Sequence, residues 1–301
     1  MLQNFKQILR RAKELERVTV AVAAAQDPHA LRSLYRARQE GIADAILVGN
    51  QDKILTALSE AKIPVEVFEI VDVDGDPAAQ CARAVELVVE GKAQVLMKGL
   101  VDTSILLKAV LNEKRLRTGR TMSTVAVMEI EKYPKLLILT DLGVLIAPDL
   151  AQKKEMIINA QSIAQALGIE KPKVAVICAT EKVNPKMQDT LDAQALVEMN
   201  LRGELSGCIV GGPLSLDLAV SHEAARDKGV DHPVAGDADI LLVPNIVSGN
   251  VLYKSLAFLS ELTSGGTLVG AKVPVVINSR ADNEDTKLNS IAVATLMAAN
   301  T

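Results

Sequence analysis

Residues 274–300 read PVVINSRADNEDTKLNSIAVATLMAAN. Val275, Val276 and Ile277 form an apolar, β-branched run that stops at Asn278-Ser279-Arg280-Ala281-Asp282, and an amphipathic helical pattern begins directly afterwards. β-Branched side chains favour extended backbone. The stretch therefore predicts a buried strand at 273–277 that ends in a hydroxyl, a guanidinium and a carboxylate, followed by a helix at 284–299. Apolar strand, polar turn and helix form the unit from which α/β proteins are built.

The same unit recurs along the whole chain. Strands are predicted at 18–24, 45–48, 65–73, 94–97, 124–130 and 136–139, and then at 174–178, 207–210, 240–243 and 273–277. Asp27-Pro28 and Asp76-Pro77 read as N-caps with proline at the first helical position, opening helices to about Glu40 and Glu90. Pro148-Asp149 opens another, to about Gly168. Further helices are expected at 192–200, 214–228 and 249–262. Uniformly apolar strands separated by helices indicate mainly parallel sheets covered on both faces. Ligands of such sheets gather at the carboxyl ends of the strands. A change of domain is expected near residues 131–134.

Composition excludes several functions. With 301 residues and 49% hydrophobic content the chain can bury two α/β cores, and with 2% aromatics those cores must be aliphatic. A net charge of −4 and the lack of a basic run argue against nucleic acid as a partner. No apolar run approaches the ~18 residues of a membrane span. Cys81, Cys178 and Cys208 are widely spaced and odd in number, which suits reduced thiols in the cytoplasm. Cys178, at a strand end, reads as a buried structural thiol, although a nucleophile at that place is conceivable. His29, His222 and His232 have no metal-ligand spacing, so no metal is expected.

Four polar strand ends stand out. Lys98-Gly99-Leu100-Val101-Asp102-Thr103-Ser104 joins a cation and a glycine to hydroxyls that can start a helix, a place that attracts anions. Leu116-Arg117-Thr118-Gly119-Arg120-Thr121-Met122-Ser123 is a basic, hydroxylated loop entering a strand. Residues 236–256, GDADILLVPNIVSGNVLYKSL, carry Asn245, Ser248, Gly249 and Asn250 between a strand and a helix. Ser279-Arg280-Ala281-Asp282 is the fourth. Each has a plain alternative: a helix cap, a solvated loop, or an ion pair of Arg280 with Asp282 or Glu284. Residues 265–272, GGTLVGAK, imitate a phosphate loop. The lysine falls one residue late, no Ser or Thr follows it, and a strand comes next. They are expected to be a loop before that strand.

Taken together, GDADILLVPNIVSGNVLYKSL, INSRAD, MKGLVDTS, LRTGRTMS and CATEKVNPKMQDTLDAQAL resemble the phosphate acetyl/butyryltransferases, most of all the butyryl type, in the right order over nearly the whole chain. The resemblance implies an isocitrate-dehydrogenase-like pair of α/β domains with a cleft between them, here residues 1–132 plus 284–301, and 133–283. It implies the reaction acyl-CoA + phosphate ⇌ acyl phosphate + CoA in the cytoplasm. CoA serves as substrate, no cofactor is permanently bound, and the enzyme is a homo-oligomer, a dimer or higher. The chain departs from the family pattern at Gly211-Gly212-Pro213, where Asp-Gly-Pro is usual. It also departs at Thr124, where a histidine stands, near Leu145, where an asparagine stands, and at Lys108, where an arginine stands.

On this resemblance Ser279, Arg280 and Asp282 are the expected catalytic residues. Arg280 would hold phosphate through its planar fork, Ser279 would donate to the tetrahedral oxygen or the departing thiolate, and Asp282 would take the thiol proton, with Asp285 second. In acetyl-specific relatives the acid stands seven residues after the serine, where this chain has Thr286. Lys98, Gly99, Thr103, Lys108, Arg120, Ser123, Asn245, Gly249, Asn250 and Lys254 are expected to bind substrate. Leu145 and Gly211 suggest an acyl pocket larger than acetyl requires. Acyl carrier protein in place of CoA, or a non-catalytic protein that binds CoA esters, remain alternatives.

Overall fold

Capping starts the helices where the sequence places them. Asp27 and Asp76 accept backbone N–H groups of His29 and Ala79, and Asp149 closes a reciprocal capping box with Gln152. The computed structural model describes residues 1–279 and 282–300. It divides into two compact units, one of residues 5–120 with 265–301, the other of residues 1–4 with 121–264.

The first unit holds α1 (Phe5–Lys13), β1 (Val18–Ala23), α2 (Pro28–Gln39), β2 (Ala43–Gly49), α3 (Gln51–Ala61), β3 (Glu69–Asp72), α4 (Pro77–Val89), β4 (Val95–Lys98) and α5 (Thr103–Asn112). The second contributes β5 (Ser123–Ile130), β6 (Leu137–Thr140), α6 (Leu150–Ala166), β7 (Lys173–Ile177), α7 (Gln188–Leu201), β8 (Ile209–Leu214), α8 (Leu216–Val220), α9 (His222–Asp227), β9 (Ile240–Leu242) and α10 (Ile246–Leu259). β10 (Leu262–Val269) carries the chain back, and β11 (Val275–Val276) and α11 (Glu284–Ala298) complete the first unit.

Strand order in the first unit is β3-β2-β1-β4-β11-β10, parallel except where β10 meets β11. In the second it is β5-β6-β9-β7-β8, parallel except for β5 with β6. Both are α/β units with mainly parallel sheets. β1, β4 and the strands around β9 are buried almost throughout, as parallel strands under helices must be. α11 is buried on nearly every side and packs on α1 and α2. Among the described residues, no helix is long and apolar enough to cross a membrane.

The division falls at 120/121 and 264/265 rather than at the expected 132/133 and 283/284, and strand pairing gives the reason. β5 pairs with β6 across the turn at 131–134, with Val125 opposite Thr140 and Met128 opposite Leu137. That turn is thus a hairpin inside one unit. β11 lies against β4, so the strand preceding α11 belongs with α11. Residues 265–269, expected as loop, continue β10, because Leu268 pairs with Val275. The expected strand at 65–73 begins at Glu69, after a 3₁₀ turn at Val65–Val67. The helix expected at 214–228 breaks at Ser221, whose hydroxyl caps α9.

Candidate active site

In the first unit β4 pairs with β1 (Ala23 opposite Lys98) and with β11 (Val276 opposite Met97), so the carboxyl ends of three strands lie side by side. Lys98 is 7% exposed, and its ammonium donates to the carbonyls of Gly99 and Val101 at 3.2 and 3.1 Å. Gly99 lies so close to β1 that a Cβ would overlap the carbonyl oxygens of Ala23 and Ala24, and its N–H bonds Ala23 O at 2.8 Å. The backbone therefore turns tightly into α5, whose N-cap Asp102 makes no side-chain cap to the helix. Thr103 is the half-buried first residue of that helix. Lys108, one turn further on, is exposed and lines a groove with Ser104 and Asp76. Arg120 is exposed, and its N–H bonds the Thr118 hydroxyl at 3.2 Å.

β11 ends beside Lys98 and leads into Ser279, which is exposed. Asp282 fixes the backbone there. Its Oδ2 accepts the Ser279 N–H at 2.8 Å and Asn278 Nδ2 at 3.1 Å, and its own N–H reaches Ser279 O at 3.2 Å. Asn278 Nδ2 also donates to Ser290 Oγ on α11 at 3.0 Å. Asp282 thus orders the turn that presents Ser279. Arg280 lies outside the described residues. Glu284, its alternative partner, is held by Arg32, and Asp285 by Arg36 Nη1 at 2.5 Å.

In the second unit the polar cluster is centred on Asp141, directly after β6. Asp141 is 1% exposed. Its carboxylate accepts the Thr124 hydroxyl and the N–H groups of Gly143 (2.7 Å), Val144 (3.2 Å) and Leu145 (3.0 Å), curling residues 141–145 around itself. That loop leans on the start of α10. Ile246 N–H bonds Ile146 O at 3.2 Å, Asn250 Nδ2 reaches Leu142 O at 3.3 Å, and a Cβ on Gly249 would overlap the Asp141 carbonyl. Asn245 is the N-cap of α10, accepting Ser248 N–H at 3.0 Å and the Ser248 hydroxyl at 3.1 Å. Asn245, Gly249 and Asn250 are thus brought together with Asp141.

Two expected residues stand apart. Ser123 is fully buried, and its Oγ accepts from Asn159 Nδ2 at 2.9 Å. Lys254 is exposed further along α10, in one helical row with Val247, Val251 and Phe258. Gly211 packs closely against the 232–234 segment. A Cβ there would lie 2.7 Å from His232 Nδ1 and 2.9 Å from Val234 Cβ.

All three cysteines are buried and free. Burial pushes the Cys178 thiol up to about 12, with the negative charge of Asp189 adding to it. Burial likewise raises Cys81 and Cys208 to about 11. A protonated, inaccessible thiol is a poor nucleophile. Among the described residues, no group of acidic, histidine or cysteine side chains is arranged to hold a metal.

The family described as phosphate acetyl/butaryl transferase matches residues 4–84 and 79–295. The chain belongs to that family. It is 50% identical to a phosphate butyryltransferase of Clostridium acetobutylicum over 301 residues, all of both chains. It is 46% identical to a phosphate acetyltransferase of Thermotoga maritima over 280 residues, 93% of this chain and 95% of that one. The crystal structure of a branched-chain phosphotransacylase from Enterococcus faecalis superimposes with a TM-score of 0.82 at 37% identity, over 93% of this chain and 99% of the other.

Three residues of the two clusters carry no role expected from the sequence: Asp141, Asn278 and Lys287. A signal existed for the first. Thr140-Asp141-Leu142-Gly143 is a polar strand end followed by glycine, the pattern that singles out Lys98-Gly99. Asn278 lies within INSRAD beside Ser279 and Lys287 lies on the following helix, and only the folded chain shows that both bond Asp282.

Proposed function

We propose that this chain transfers a butyryl or similar short or branched acyl group between CoA and inorganic phosphate. A phosphate oxygen attacks the thioester carbonyl carbon, the C–S bond breaks, and CoA leaves as a thiolate that takes up a proton. The observation that carries the reading is the presentation of Ser279. It stands exposed at the carboxyl end of a buried strand, with its backbone fixed by Asp282 and with Lys98 on the adjoining strand. The full-length 50% identity to a phosphate butyryltransferase supports the same reading.

Ser279 donates to the oxygen of the tetrahedral intermediate or to the leaving sulfur, and Arg280 holds the phosphate oxygens in parallel. Asp282 orders the turn and, in the direction of thioester synthesis, accepts the thiol proton. No acyl-enzyme is required, because two substrates bound side by side gain most from proximity. The raised thiol of Cys178 supports direct transfer. Thr103 and Lys108 on α5, Arg120, and Asn245, Gly249 and Asn250 in the other cluster are assigned to substrate. The acyl chain is assigned to the loop after Asp141, where Leu142, Val144 and Leu145 are partly exposed and Ile146 is 77% exposed.

CoA is a substrate in this scheme, and the enzyme works in the cytoplasm as a homo-oligomer. Support for assembly comes from α10, which leaves Val247, Val251, Phe258 and Leu259 more than half exposed along its length. The decisive experiment is phosphate-dependent thiol release from acyl-CoA donors of increasing chain length, with acyl carrier protein thioesters in parallel. Release from butyryl-CoA supports the proposal. Release from carrier-protein thioesters alone, or from no donor, overturns it.

A further inference from the structure

Lys287 lies in the second turn of α11 and is 2% exposed. Its ammonium donates to the main-chain carbonyl of Asp282, the residue whose side chain holds Ser279 N–H and Asn278. Two effects oppose a cation at this place. Burial costs it its water, and the amino-terminal end of a helix repels positive charge.

The carboxylates nearest in sequence do not relieve that cost through a contact ion pair among the described residues. Glu284 is paired with Arg32 and Asp285 with Arg36, while the Asp282 carboxylate is turned to Ser279 and Asn278. An ammonium retained under such conditions, beneath a turn that offers a hydroxyl to an anion, has two consequences. It fixes the carbonyl of Asp282, whose N–H closes the turn on Ser279 O, and it adds positive potential to the turn, which would favour negative charge held there.

We propose that Lys287 is a positioning residue for acyl transfer: it pins the Ser279 turn from below and supplies a buried positive charge for the phosphate or thiolate bound there. This rests on the assignment of Ser279 to the acyl-transfer site. Lys287 itself does not touch the reacting atoms. It acts through Asp282 and through its field.

Two variants separate these contributions from simple packing. Lys287→Met removes both donor and charge, and Lys287→Gln keeps an N–H donor, one bond shorter, without the charge. In steady-state phosphorolysis of butyryl-CoA, Lys287→Met is expected to lower kcat/KM for phosphate 10- to 100-fold. Its melting temperature should be unchanged or higher, because a buried cation has been replaced by an apolar chain. Lys287→Gln should recover most of kcat while leaving KM for phosphate raised. A purely structural lysine would give the reverse, a lowered melting temperature with normal kinetics in the folded fraction. Should Lys287→Met fail to fold, Lys287→Gln alone decides. Phosphate KM and kcat within twofold of the parent in either folded variant overturns the proposal. An active parent enzyme with normal variants removes Lys287 only, whereas a parent inactive on every donor removes the acyl-transfer reading itself.

Discussion

Thr124 donates its hydroxyl to Asp141 Oδ1, and the same carboxylate gathers the N–H groups of Gly143, Val144 and Leu145. With Asp141 1% exposed, these bonds replace the water that a buried charge has lost. Asp141→Ala would leave several donors without a partner, at a cost of about 3 kcal/mol or more. Thr124→Val removes one donor and should cost about 1–2 kcal/mol. Denaturant unfolding of the two variants checks both the order and the sizes. Equal, negligible losses would mean that the carboxylate does not organise the loop.

The partly exposed apolar side chains of that same loop predict chain-length selection. Each methylene buried from CoA ester to transition state adds about 0.8 kcal/mol, so butyryl should exceed acetyl roughly tenfold in kcat/KM. Ile146→Ser, at an exposed position, should narrow the butyryl-to-acetyl ratio and leave thermal stability nearly unchanged. A ratio that does not move would take the acyl chain away from this loop.

Ser279 is exposed, and its neighbours hold its backbone N–H and carbonyl. Ser279→Ala should therefore fold normally and lose about 10²–10³ in kcat, as expected for a lost donor to a developing oxyanion. Rapid-quench and steady-state rates on one preparation, with a melting curve beside them, test this. A stability loss with unchanged kcat would make Ser279 a structural residue.

The buried thiols give a pH dependence with a definite sign. Their folded values are raised to about 11 for Cys81 and Cys208 and about 12 for Cys178, whereas unfolded thiols ionise near ~8.5. Above ~8.5 the unfolded chain has released protons that the folded chain still binds. Stability from this source is complete at neutral pH and falls as pH rises, by up to about 1.4 kcal/mol per pH unit for each site. Melting temperature should drop between pH 8 and pH 10, and Cys178→Ser should flatten that drop while keeping most of the turnover. Stoichiometric acyl labelling of Cys178 with rapid loss of activity would instead establish an acyl-enzyme.

Phe258 is 74% exposed in the row formed with Val247 and Val251 on α10. If copies of the chain meet there, Phe258→Glu should shift the light-scattering mass toward that of one chain, since buried aromatics dominate such contacts. An unchanged assembly would place the interface elsewhere.

Much of the α/β order can be read from the chain because apolar runs and Asp-Pro caps are local signals. β4 and β11 illustrate this, since each shows its apolar run and its polar end directly. Long-range pairing cannot be read in that way. Residues 265–269 look like a glycine-rich loop until Leu268 meets Val275, and the turn at 131–134 looks like a linker until β5 meets β6. At the site, Asn245 and Asn250 are visible through their motif. The burial of Ser123 against Asn159, and the role of Asp141 between Thr124 and α10, depend on which elements come into contact.

The close approach of Gly211 to His232 constrains how this sequence can diverge. The ring nitrogen that a Cβ at position 211 would strike already accepts the N–H of Val234, and burial lowers the pKa of His232. An aspartate at position 211 would require both the imidazole and Val234, whose Cβ lies 2.9 Å from the added Cβ, to give way. The two sites are thus epistatic. An engineer transplanting the acidic form into this backbone must make room at the 232–234 segment together with position 211.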